Sequence, residues 1–122
     1  MSEKDFTVTV DIAAPVAAKI EAAAAEYDGK YVLDNAVYRR VLDTYKKFRK
    51  FALRNDGGIK SADVIGVDKV KIVAEVPAVD LFREGLEVFS ELLAMVDSID
   101  ISASKSGDLI IEVSVAKLWK AV

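Results

Sequence analysis

The strongest constraint in this chain is a segment whose apolar residues all fall on one side of a helix. Val37, Tyr38, Val41, Tyr45, Phe48 and Ala52 lie within about 100° of one another at the helical step of about 100° per residue. Asp34 and Asn35 precede them as N-cap candidates, and Asn55-Asp56-Gly57-Gly58 closes the segment as a turn cluster. A helix with such a face holds in water only when a partner surface covers its Tyr/Phe side. The rest of the chain must supply that surface.

Segments of period two do so. Phe6, Val8, Val10 and Ile12 alternate with Thr7, Thr9 and Asp11, and Val70, Ile72, Ala74 and Val76 alternate with Lys71, Val73 and Glu75. Ile99 to Ala103 and Leu109 to Val115 alternate around Ser104-Lys105-Ser106-Gly107, the pattern of a β-hairpin with a short loop. Two further helices are expected. One starts at Pro15 with Val16, Ile20, Ala23, Ala24 and Tyr27 facing inward; the other follows Pro77, with Leu81, Phe82, Gly85, Val88, Phe89, Leu92 and Val96 inward. Residues 59–68 show no clear period, so 55–68 is expected to be a flexible loop. The predicted fold is α+β, in the order β-α-α-β-α-β-β: a two-layer sandwich with a four-stranded, mostly antiparallel sheet and three helices on one face.

With 122 residues and 52% hydrophobic content, the chain has enough apolar material for one core. A single domain over 1–122 is expected. No apolar run approaches the roughly 18–20 residues needed to cross a bilayer. Met1 to Asp5 reads as neither signal nor transit peptide, so the expected setting is the cytoplasm.

The residue types bear on chemistry. Histidine and cysteine are both absent, which removes the usual general base near neutrality, the thiolate nucleophile and the favoured zinc ligands. No phosphate-cradling glycine motif is present. Ser104-Lys105-Ser106 reads as a hairpin loop, and Asp97, Asp100 and Asp108 as a solvated strand end rather than a calcium loop. Neither enzymatic activity nor a cofactor is expected.

Charge is segregated. Between Ala36 and Arg54 stand seven cations and one acid, Asp43, a local charge of +6 that leaves −9 on the remainder of a chain whose net charge is −3. Arg39, Arg40, Lys46, Lys47, Lys50 and Arg54 fall within about 120° opposite the apolar stripe, flanked by Phe51 and Leu53. Asp43 is placed to pair with its neighbours on the helix. Glu84, Glu87 and Glu91 form an acidic ridge on the third helix, suited to pair with the basic helix within the molecule or across a dimer. The leading expectation is a non-catalytic interaction module that binds a protein partner or itself through these charged faces or the sheet surface. The alternative is nucleic-acid binding through helix 36–54, with Phe51 available for base stacking. A carboxylate or metal-dependent enzyme comes third.

Phe6 to Ile20, a strand followed by Asp-Ile-Ala-Ala-Pro and a helix, resembles the start of helix-grip ligand-binding proteins. The resemblance covers about an eighth of the chain and implies a carrier of small apolar ligands. The long run of consecutive strands that such proteins need is missing.

Overall fold

The computed structural model describes residues 12–27, 29–66, 69–77 and 86–122. Its elements are α1 (Ala14–Glu26), β1 (Tyr31–Leu33), α2 (Asn35–Arg54), β2 (Gly58–Ile65), β3 (Lys69–Pro77), α3 (Leu86–Met95), β4 (Ser98–Ala103), β5 (Asp108–Ala116) and β6 (Trp119–Ala121). The expected α+β class holds. β2, β3, β5 and β4, in that spatial order, form an antiparallel four-stranded sheet with helices packed on it.

α1 carries Pro15 in its first turn and places Val16 and Ile20 at zero exposure over β2. Asp34 caps α2, its carboxylate accepting from the amides of Ala36 and Val37 at 3.1 and 3.3 Å. The buried face of α2 is wider than the expected stripe, because Leu42, Thr44 and Phe51 are buried alongside Val41, Tyr45, Phe48 and Ala52. Two layers cover it: the sheet beneath and α3 alongside, where Phe51 meets Phe89 with ring centres 6.0 Å apart.

Along β3, Val70, Ile72, Ala74 and Val76 are fully buried, as their alternation predicts. They stand opposite Val115, Val113, Ile111 and Leu109 of β5. The C-terminal segment turns back on the core: Leu118 and Trp119 are buried, Trp119 meets Tyr27 edge-on at 5.1 Å, and β6 pairs with β1.

Two expectations about strands need correction or bounding. Residues 58–65, expected as part of a loop, form β2 and pair along β3. A β-bulge between Ile59 and Ser61 shifts the pairing there, so the alternation of Ile59, Ala62 and Val64 breaks in the sequence although it is maintained across the sheet. The expected strand 6–12 lies outside the described residues except for Ile12, which is helical. Leu81, Phe82 and Gly85 also lie outside them.

Candidate interaction surface

The outer flank of α2 carries the basic residues, and neighbouring elements divide them into two sets. Arg40 Nη2 lies 3.4 Å from Asp97 Oδ2, and the same carboxylate oxygen accepts from the amide of Ala116 at 2.7 Å. Lys47 Nζ lies 2.9 Å from Glu91 Oε2 on α3. The expected pairing of the acidic ridge with the basic helix therefore occurs within the chain at Glu91. Glu84 and the side chain of Glu87 lie outside the described residues.

Lys46, Lys50 and Arg54 form the second set. They are exposed at successive turns of α2 and, with Asp43, Lys47 and Glu91, line a groove of about 420 Å³. Among the described residues no carboxylate pairs with any of the three, or with Arg49. Asp43 forms no ion pair among the described residues either, so the expected helix-surface pairs are not made. Arg39 is exposed on the same flank.

Phe51 requires a correction. Expected beside the cations as a stacking surface, it is 1% exposed and lies parallel to Phe48, with ring centres 6.3 Å apart. The periodicity placed it at the margin of the apolar stripe, and the packing of α3 draws that margin into the core. Leu53 remains at the surface, 51% exposed.

A second polar cluster lies at the far end of the sheet. Lys60 Nζ contacts Glu75 Oε1 at 2.7 Å, beside a cavity of about 450 Å³ lined by the Asp56–Gly57 turn, the first residues of β2, Glu75, Pro77 and Asp108. The hydrogen bond from Lys60 holds the Glu75 carboxyl below its usual range. Hydrogen bonding to Glu75, then desolvation, raises that of Asp108. The three acids near the hairpin are thus separated: Asp97 serves Arg40, Asp108 meets Glu75, and Asp100 stands opposite Glu112 on the outer sheet face. Among the described residues no group of three or more acids is placed to hold a metal ion. The Ser104 hydroxyl accepts from the amide of Asp108 at 3.1 Å and lies 2.9 Å from that of Ser106, so both serine side chains are engaged in closing the turn.

Among the described residues no helix is long and apolar enough to cross a membrane. In comparison with known proteins, no family model, no curated protein and no solved structure matches this chain.

Proposed function

We propose that this protein is a non-catalytic binding module whose α2 flank captures an acidic segment of a partner protein. The observation that carries this reading is the row Lys46, Lys50 and Arg54, exposed along one groove and without a carboxylate partner among the described residues. Four residues of helix advance about 6 Å, a spacing that acids one turn apart on a partner helix also have. Charge complementarity of this kind fixes register and speeds encounter more than it adds affinity.

Two observations favour an acidic protein over nucleic acid. Phe51 is in the core, which removes the aromatic platform that single-strand binding uses. The chain outside 36–54 carries −9, a field that opposes a long polyphosphate more than a short acidic segment.

Fluorescence anisotropy with a glutamate-rich helical peptide and with an oligonucleotide, each at low and moderate salt, tests the reading. The peptide is expected to bind, and the triple variant Lys46→Glu, Lys50→Glu, Arg54→Glu to weaken it by about tenfold or more. Arg40→Gln, a member of the internally paired set, is expected to change peptide binding much less. Tighter binding of the oligonucleotide than of the peptide assigns the face to nucleic acid, and binding of neither removes it as a site.

A further inference from the structure

The two edges of the four-stranded sheet are not equivalent. β2 carries a bulge, and Lys19 of α1 reaches it, its Nζ donating to the Ala62 carbonyl at 2.6 Å and pairing with Asp63 at 2.7 Å. A bulge and a lysine laid along the strand are two of the devices by which edges are kept from pairing with other chains. β4, Ser98 to Ala103, has neither lysine nor proline, pairs along its length with β5 without a register shift, and has no second strand neighbour among the described residues.

β4 also exposes apolar surface. Ile101 stands opposite Ile111, which is fully buried, yet is itself 46% exposed. None of the described helices packs on β4 as α1 and α2 pack on β2.

We infer that β4 pairs antiparallel with β4 of a second copy of this chain, joining two sheets into one across a twofold axis at Ile101. The backbone selects the register. Ser104 donates its amide to the Asp108 carbonyl at 2.8 Å across the hairpin, which turns the even-numbered residues of β4 toward β5 and sends the N–H and C=O groups of Ile99, Ile101 and Ala103 outward. Pairing Ile101 with Ile101 sets Ile99 opposite Ala103, so every outward group of the strand meets a complementary one. Asp100 then stands opposite Ser102, so the one charge on the strand faces a neutral partner that can donate to it. A shift of two residues in the sum of paired positions toward the N-terminus would put Asp100 opposite Asp100, a like-charge pair that costs stability. The Ile101 side chains point to the helix side of the sheet and cover each other there. This inference does not depend on the α2 flank.

Sedimentation equilibrium from micromolar to near-millimolar concentration tests it, together with cross-linking of Ile101→Cys by a short bismaleimide. The chain has no cysteine, so the introduced thiol is the sole reactive one. Ile65→Cys, at the end of β2 and similarly exposed at 43%, is the control. The expected result is a particle of twice the 13.3 kDa chain mass, with efficient cross-linking at position 101 and little at 65. Ile101→Lys is expected to weaken association by about tenfold or more with the thermal midpoint of the monomer little changed. If that variant does not fold, Ile101→Thr keeps the β-branched shape and is expected to show a smaller loss. A monomer throughout the concentration range, or cross-linking at 101 no greater than at 65, overturns the inference. So does a monomer whose β4 amides become protected from exchange only when a different protein is added, which assigns the edge to a foreign strand.

Discussion

The β2 and β4 sides of the sheet present the same backbone edge to opposite surroundings. Over β2 lies α1, with Val16 and Ile20 at zero exposure and Lys19 bound to the strand itself. Beside β4, Ile101 stays nearly half exposed and five of the six strand residues are open to solvent. An inward-facing isoleucine is therefore core on one side of the molecule and surface on the other. Apolar character in the sequence marks both, and only the placement of the helices separates core from contact surface.

The largest effect expected from this contrast comes from making one change on both sides. Ile20→Ala empties a fully buried site under α1 and is expected to cost about 2–5 kcal/mol. Ile101→Ala removes atoms already in part solvated and is expected to cost about 1 kcal/mol or less in the monomer. Urea denaturation at a concentration where the protein is monomeric measures both. Equal losses would mean that β4 is as well covered as β2.

Much of the architecture was legible in the sequence because its periods are clean. Val70 to Val76, Ile111 to Val115 and the Tyr45–Phe48 face of α2 occupy the buried positions that their spacing assigns, and Leu109 is half-buried against the same core. β2 was not legible, since the bulge at Ile59 and Ser61 displaces its inward residues from strict alternation. The basic flank was legible as composition and spacing, but not its division into two sets. Arg40 and Lys47 find Asp97 and Glu91 from positions 57 and 44 residues away, which no local pattern encodes. Phe51 sits at the margin of a stripe whose true width depends on Phe89, a contact that helix periodicity does not specify. The open side of β4 carried no sequence signal at all, because Ile99 and Ile101 read as ordinary alternating core.

A smaller effect sharpens the role of Lys19. Its pair with Asp63 is about half exposed on both sides, so Lys19→Met is expected to lower stability by less than about 1 kcal/mol. Its consequence for the edge is expected to be larger than its consequence for stability. In a Lys19→Met background, Ile65→Cys should cross-link between chains more readily than in the parent. An unchanged yield would leave the bulge as the element that protects β2.

The smallest effect concerns the Lys60–Glu75–Asp108 cluster, where the turn leading into β2 meets the start of β5. Glu75 has its carboxyl lowered from 4.5 by the hydrogen bond from Lys60, so it contributes stability that is present above 4.5 and lost as pH falls through its folded value. Asp108 has its carboxyl raised from 3.8, chiefly by hydrogen bonding to Glu75, so the folded state holds that proton more tightly than the unfolded one. Its contribution has the opposite sign: stability falls as pH rises from 3.8 through the raised value, and returns on acidification. The two partly cancel in the parent protein. Asp108→Asn keeps a donor toward Glu75 and removes the opposing proton, so the acid loss from Glu75 should stand uncompensated. Thermal midpoints across the acid range are expected to fall more steeply in Asp108→Asn than in the parent, with the variant at least as stable at neutral pH. Parallel profiles would show that the Asp108 proton is not linked to folding, and would reduce the cluster to the single ion pair of Lys60 with Glu75.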